Sequence, residues 1–337
     1  MQKDVIQIAY LAGTSYCGST LLAFLMNSHP QIASVGEASL NRSVQKKGGS
    51  HYLCSCGALL SDCSFWKQVF QMVNEQGIEF SPLKWTNDYK YKNTMLHKAF
   101  SLYSANKLIR WLQNVALHVS PGYRKHINYT NNVNIVFLRS IMKLKGAEVY
   151  FDASKNLMRL SHLLTIPKFD MKIVRIVRDV RAFANSYKRR GVSVEDAARN
   201  WKNYQLSADH LMRDISSHRI IFLRYENFCH NPAHWLKYLH NFLGVRALDP
   251  PDAILPNEHH IIGNHMRLQK IEAISANESW KENLTEAEIS SALRIAGDIN
   301  ERFGYKREIN DSSIAEQEIK RIAEEGNLMS TLDSRRK

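Results

Sequence analysis

Four stretches of this sequence place anion-binding or proton-moving groups at element boundaries. The first is Gly13-Thr14-Ser15-Tyr16-Cys17-Gly18-Ser19-Thr20, set between the apolar runs Val5–Leu11 and Leu21–Met26. A turn that leads main-chain N–H groups into a helix start is a seat for an anion. Gly13 and Gly18 let the backbone approach phosphate oxygens, and Ser15, Ser19 and Thr20 add hydroxyl donors. No lysine precedes Ser19-Thr20, so this is not a Walker A loop, and a kinase or nucleoside triphosphatase is disfavoured. By itself the turn also fits an ordinary strand-to-helix corner with a capping hydroxyl. The second stretch puts Arg178 at the end of the apolar run Met171–Val177, with Ser186 eight residues on. Arg178 can offer a planar fork to a phosphate, and the Ser186 hydroxyl can meet the same anion if the intervening helix packs alongside. Third, Glu37 follows a short apolar run and Gly36, a position beside the first loop for a general base. Fourth, Asp152-Ala153-Ser154-Lys155-Asn156 closes another apolar run, which directs Lys155 to the same edge. His29 and His260 are further candidates for a base.

His51, Cys54, Cys56 and Cys63 form a spacing that could ligate zinc. Cys-x-Cys is tight for one tetrahedral site, so a disulfide or free thiols is the favoured reading and no metal is expected. Cys17 and Cys229 complete an odd count of five cysteines in 337 residues, unlike a secreted disulfide framework.

The elements that must hold these groups alternate. Apolar runs at Val5–Leu11, Ile32–Val35, Glu148–Asp152, Met171–Val177 and Arg219–Leu223 read as strands. Helical patterns over Ser19–Met26, Leu157–Thr165, Asp179–Arg189, Ser193–Ser216, Asn231–Leu243 and Thr285–Phe303 separate or follow them. The alternation predicts an α/β fold, a parallel sheet with helices on both faces, with the ligand at the carboxyl ends of the strands. Residues 61–141 read as a helical insertion rich in aromatics and bases, including Trp66, Trp85, Tyr89, Tyr91, Tyr103, Trp111, Tyr123 and Tyr129. A single domain is expected over 1–310, followed by a polar tail over 311–337.

The net charge of +13 favours anionic ligands of several kinds, but no run of five basic residues marks a nucleic-acid arm. The apolar stretch from Val5 to Met26 is interrupted by Gly13-Thr14-Ser15 and Gly18-Ser19-Thr20, so it is not a membrane span. Asp4 and the absence of a strongly basic leader argue against a signal peptide, and a soluble, cytoplasmic protein is expected.

Taken together, these stretches resemble the sulfotransferases that use 3′-phosphoadenosine 5′-phosphosulfate (PAPS), a family with a P-loop NTPase-like fold. Residues Gly13–Thr20 resemble the 5′-phosphosulfate loop of that family. One departure is that Tyr16 stands where the loop usually has a lysine or arginine, and Cys17 where it usually has serine. Arg178 with Ser186 resembles the 3′-phosphate site. Leu223-Arg224-Tyr225-Glu226-Asn227-Phe228 resembles a segment whose tyrosine lies near the adenine. Gly263-Asn264-His265-Met266-Arg267 resembles a late segment in which Arg267 would reach the 3′-phosphate, with Asn264 also among the cofactor-binding residues. The resemblance implies Glu37 as the base and Lys155 as a contact to the transferring group, supplying the cation missing at Tyr16. It implies PAPS as co-substrate, no catalytic metal, and an acceptor hydroxyl. A sugar hydroxyl is the expected acceptor, with the aromatic insertion as its cleft; a protein tyrosine, or a lipid or small-molecule alcohol, stays open. So does a catalytically inactive nucleotide-binding homologue, which the lost cation at Tyr16 would suit.

Overall fold

The computed structural model describes residues 5–39, 52–89, 108, 109, 111, 112, 115 and 119–306. His51, Tyr91, Tyr103 and the expected tail over 311–337 lie outside the described residues.

Five strands form one sheet: β1 (Ile6–Ala12), β2 (Ile32–Ala33), β3 (Val149–Asp152), β4 (Phe169–Val177) and β5 (Ile220–Arg224). Their order is β2-β3-β1-β4-β5, and every pairing is parallel. A parallel sheet needs helical crossovers that cover both faces, which is why β1 and β3 read as continuous apolar runs. β1 is the centre. It pairs with β4 from Ile6↔Phe169 to Ala12↔Arg175 and with β3 from Gln7↔Val149 to Tyr10↔Asp152. The chain leaves β1 towards β2 and β3 on one side, then crosses to β4 and β5 on the other. The strand order therefore reverses around β1, and a ligand crevice belongs at its carboxyl end.

The crossovers are α1 (Ser19–Asn27), α4 (Leu157–Leu163), α5 (Val180–Lys188) and α6 (Val194–Met212). Before α4 come α2 (Ser64–Asn74) and α3 (Pro121–Lys145), from the predicted insertion. After β5 follow α7 (Tyr225–His230), α8 (Pro232–Leu243), α9 (Trp280–Asn283) and α10 (Glu286–Arg302). Local chemistry sets several boundaries. Asn156 accepts from the N–H groups of Met158 and Arg159 to start α4, and Asp179 accepts from Arg181 to start α5. Thr285 and Glu288 form a capping box on α10, and Gly146 and Gly244 end α3 and α8.

The two sheet faces carry separate apolar clusters. One joins Ile8, Tyr10 and Tyr150 to Trp66, Phe80, Trp85 and Phe137. The other joins Ala9, Leu11 and Phe151 to Leu22, Phe24, Phe228 and Leu239. A third cluster packs α5, α6 and α10 through Phe183, Trp201 and Ala292. The first bears on the expected aromatic cleft, since most of the insertion's aromatics can equally serve as core-packing residues. Trp66, Trp85, Tyr89 and Tyr123 are buried core residues, with Phe80 and Trp85 ring centroids 4.9 Å apart, so these aromatics do not line an open cleft. Trp111 and Tyr129 are the exposed members among the described residues.

Candidate active site

β1 hands its chain to α1 through residues 13–18, and the turn is built on two left-handed residues, Tyr16 (φ 61°) and Gly18 (φ 80°). Gly18 is required twice over. Its φ suits glycine, and a Cβ there would stand 2.6 Å from Cε2 of Tyr225. The first turn of α1 contains no acidic residue and Gly18 supplies no side-chain cap, which leaves the positive end of the helix for an anion. Ser19 and Thr20 open this helix from buried positions, whereas Ser15 is exposed. Cys17 is buried, and burial pushes its thiol up to about 11, so it is an inert part of the corner.

Lys155 arrives from the next strand. β3 ends at Asp152, whose carboxylate accepts from the Ser154 N–H at 2.9 Å and from Arg159 Nε at 3.0 Å. The backbone then turns through Lys155 in a left-handed conformation (φ 63°). Its ammonium donates to Ser19 Oγ at 2.9 Å, to Glu37 Oε1 at 2.8 Å and to the Ala153 carbonyl at 3.1 Å. The Lys155 side chain is 10% exposed and that of Glu37 is 30% exposed, so the pair opens to solvent through the carboxylate. Glu37 is positioned by its main chain: its N–H donates to the Ile262 carbonyl, and Gly36 forms a parallel bridge with Ile262. Gly36 has φ 74°, and the Ile262 carbonyl occupies the space a side chain would need.

On the other side of β1, β4 delivers Arg178. Trp201 Nε1 donates to the Arg178 carbonyl at 3.0 Å and fixes the strand end. The guanidinium donates to the Tyr16 carbonyl at 2.7 Å and the Asn277 carbonyl at 2.8 Å, and lies 4.7 Å from the Tyr225 ring centroid. Tyr225 is thus held between Gly18 and Arg178. Arg178 Nε, Thr14 Oγ1 and Ser154 Oγ are buried with no hydrogen-bond partner among the described residues. Buried polar atoms are normally satisfied, so orphans on the loop at Thr14, on Arg178 and one residue before Lys155 mark a place for a polar ligand.

Residues 10–250 match the model of the sulfotransferase family. The chain belongs to that family. No curated protein sequence matches it significantly. The fold is similar to the sulfotransferase domain of the Synechococcus PCC 7002 olefin synthase, at 18% identity and a TM-score of 0.52, over 90% of this chain and 97% of that one. The sulfotransferase domain from the curacin biosynthetic pathway aligns at 16% identity and a TM-score of 0.49, over 88% and 98%. Sulfotransferase STF9 from Mycobacterium avium aligns at 13% identity and a TM-score of 0.39, over 72% and 65%. This protein is a sulfotransferase with an all-parallel α/β fold, and no helix among its described residues is long and apolar enough to cross a membrane.

Within this sulfotransferase, the expected residues fall into three groups. Gly13–Thr20, Glu37, Lys155, Arg178 and Tyr225 converge around the end of β1 through the contacts above. Ser186 is buried on α5 and its hydroxyl donates to the Ala182 carbonyl at 3.0 Å, a bond internal to its own helix. Arg267 takes a different place. Its guanidinium donates to the carbonyls of Leu53, Gly263 and Asn264 and stacks 4.2 Å from the Tyr52 ring centroid. Asn264 caps the short 3-10 turn His265–Leu268 by accepting from the Met266 N–H. Arg267 and Asn264 therefore brace the segment that passes Thr20, next to Gly263. His29 is buried against the Arg246 carbonyl and the His240 ring, unlike a base.

Several contributors carried no local signal in the sequence. Asn277 closes over Arg178, Tyr204 donates to the Lys155 carbonyl, and Arg190 stacks 4.8 Å from the Tyr16 ring centroid. Arg190 brings a cation beside the very loop residue that lacks one. All five cysteines are separate thiols, and Cys54, Cys56 and Cys63 converge on His260.

Proposed function

We propose that this sulfotransferase uses PAPS as donor and that Glu37 and Lys155 perform the transfer to an acceptor hydroxyl. The carrying observation is the Lys155 ammonium, 2.9 Å from Ser19 Oγ on the anion loop and 2.8 Å from the Glu37 carboxylate. An ammonium between a phosphate seat and a carboxylate is the arrangement in-line sulfuryl transfer requires.

The donor fits the residues present. Loop N–H groups and the α1 N-terminus receive the 5′-phosphosulfate, with Ser19 and Thr20 as hydroxyl donors. Arg178, whose Nε is unpartnered, receives the 3′-phosphate, with Ser186 as a second donor once its hydroxyl turns from Ala182. Tyr225 offers its ring edge to the adenine. Arg267, expected at the 3′-phosphate, and Asn264, expected at the cofactor, act instead through the segment beside Thr20.

In the reaction the acceptor O–H gives its proton to Glu37 as its oxygen attacks sulfur. The bond between sulfur and the bridging oxygen of the 5′-phosphate breaks, and the electron pair leaves on adenosine 3′,5′-bisphosphate. Lys155 moves from Glu37 to the sulfuryl and bridging oxygens, where negative charge grows. That exchange frees the carboxylate to act as base. The positive charge at Lys155, and Arg190 beside Tyr16, replace the cation that the loop lacks.

The acceptor is a hydroxyl. The expectation of a sugar rested on an aromatic cleft, and four of those rings are core residues. A lipid or small-molecule alcohol, or a protein tyrosine, is the second class to test.

Purified enzyme, labelled PAPS and an acceptor panel of sugars, tyrosine peptides and lipid or small-molecule alcohols test the reading directly. The expected result is label transfer to one class, together with thermal stabilisation by adenosine 3′,5′-bisphosphate exceeding that by ATP. Stabilisation by ATP alone would overturn the donor assignment.

A further inference from the structure

Away from the transfer site, Cys54, Cys56, Cys63 and His260 bring four ligand atoms to within 4.8 Å of one another. We infer that these four residues bind one zinc ion in a closed tetrahedral site. The inference stands on geometry and does not depend on the donor or acceptor.

The spacing decides between the chemistries open to such a cluster. A disulfide needs a sulfur–sulfur distance of about 2.05 Å. The separations here are 3.6 Å for Cys56–Cys63 and 3.8 Å for Cys54–Cys63. Two sulfurs each about 2.3 Å from a tetrahedral zinc lie about 3.8 Å apart. A sulfur and an imidazole nitrogen on the same ion lie about 3.5 Å apart, from bond lengths of about 2.3 and 2.05 Å. His260 Nδ1 is 3.3 Å from Cys63 Sγ and 3.7 Å from Cys54 Sγ. Four of the six separations therefore already match the edges of one coordination sphere, and the other two, from Cys56 to Cys54 and to His260, are within 4.8 Å. Three thiolates and an imidazole select zinc over magnesium or calcium, and four protein ligands leave no open position for catalysis. On binding, the three thiols release their protons to solvent and His260 ligates as the neutral ring.

The surroundings pre-organise the ligands. Cys54 and Cys56 sit on a tight turn in which the Cys54 N–H donates to Ala58 and Gly57 N–H donates to Cys54, with an antiparallel bridge between Leu53 and Leu59. Cys63 is the N-cap residue of α2, where the helix end favours a thiolate. The His260 ring is stacked flat on Phe65, with centroids 4.5 Å apart and planes 5° from parallel. Ser55 ties the two segments together, donating to the His259 carbonyl and accepting from the Ile261 N–H at 2.9 Å. Cys54 and Cys63 are buried while Cys56 is half-buried, which gives an ion one route in.

The expectation of a disulfide or free thiols came from the tight Cys-x-Cys spacing, and the cysteines are free thiols. His260 lies almost two hundred residues from Cys63 in the chain, and the fold brings it to the cysteines.

The test is metal analysis of the full chain, purified untagged under reducing conditions without added metal. One zinc per chain is expected by mass spectrometry of the metal. Zinc-edge X-ray absorption should fit three sulfur neighbours and one nitrogen. Replacement by cobalt(II) should give the ligand-field and sulfur-to-metal charge-transfer bands of a tetrahedral thiolate site. Cys56→Ser and His260→Ala should each lower zinc content and weaken those bands, while Cys17→Ser and Cys229→Ser leave them unchanged. If either ligand variant fails to fold, the absorption spectrum of the unaltered chain still decides. Protein that is folded but zinc-free, a Cys56–Cys63 disulfide in unreduced peptides, or a shell of oxygen neighbours would overturn the inference.

Discussion

Lys155 holds an unfavourable backbone conformation, worth about 1–2 kcal/mol for a residue with a Cβ. Its neighbours enforce it. Tyr204 donates to its carbonyl at 2.9 Å, and Tyr10 donates to the Asn156 carbonyl at 2.8 Å. Strain of this kind persists where surrounding contacts over-determine it, and here it aims the ammonium at the loop. Lys155→Ala is expected to lower turnover by roughly a hundredfold, about 3 kcal/mol of barrier, with binding of adenosine 3′,5′-bisphosphate retained. Single-turnover kinetics and calorimetric titration check the two halves; normal turnover would remove Lys155 from the mechanism. Glu37→Gln keeps the shape and loses the base, so it should lower turnover by about 10²–10⁴ without weakening the product nucleotide. Gly18→Ala should act differently. It crowds Tyr225 and strains the corner, so the loss is expected in nucleotide affinity.

At the scale of elements, helix starts and buried pairs carry the predictions. α10 begins with a capping box, and its Asn300 accepts from the Val180 N–H at the start of α5. Thr285→Ala should therefore cost about 1 kcal/mol of stability, read by denaturant unfolding, with turnover nearly unchanged. Asp152 and Arg159 form a pair almost wholly removed from water. Arg159→Ala strands the carboxylate and should cost about 3–5 kcal/mol, visible as a large fall in the unfolding midpoint. Elements like these were largely legible in the sequence. Expected Leu157–Thr165 is α4 at Leu157–Leu163, and expected Asn231–Leu243 is α8 at Pro232–Leu243, because caps and apolar spacing are local signals. Expected strand Met171–Val177 begins two residues earlier, at Phe169, since pairing with Ile6 extends it past the apolar run. That the loop, Glu37, Lys155 and Arg178 come together was legible because each follows a strand. Asn277 was not, and neither were the contacts of Arg267 with Leu53 and Tyr52 or of His260 with Cys54 and Cys63, because these partners lie far away in the chain and only tertiary packing supplies them.

Across the whole molecule, buried histidines set the acid limit. Burial pushes His162 and His240 down to about 4, helped by the charges of His126 and His29 respectively. In the unfolded chain both titrate near about 6.5, so the unfolded state binds more protons between those values. Their contribution is complete above about pH 6.5 and is lost as pH falls towards 4. The melting temperature should be level from about pH 8 to 7 and drop steeply from about 6 to 4; a flat profile to pH 4.5 would contradict this assignment. The sheet adds one more consequence through the bridge between Gly36 and Ile262. Strands β1 to β5 can assemble once residue 224 has been synthesised, whereas the backbone of Glu37 gains its anchor only when residue 262 arrives. Joining ends so far apart is entropically slow, so the reactive edge should be among the last parts to set during folding. A nascent chain halted just after β5 would then own a sheet and still be catalytically silent.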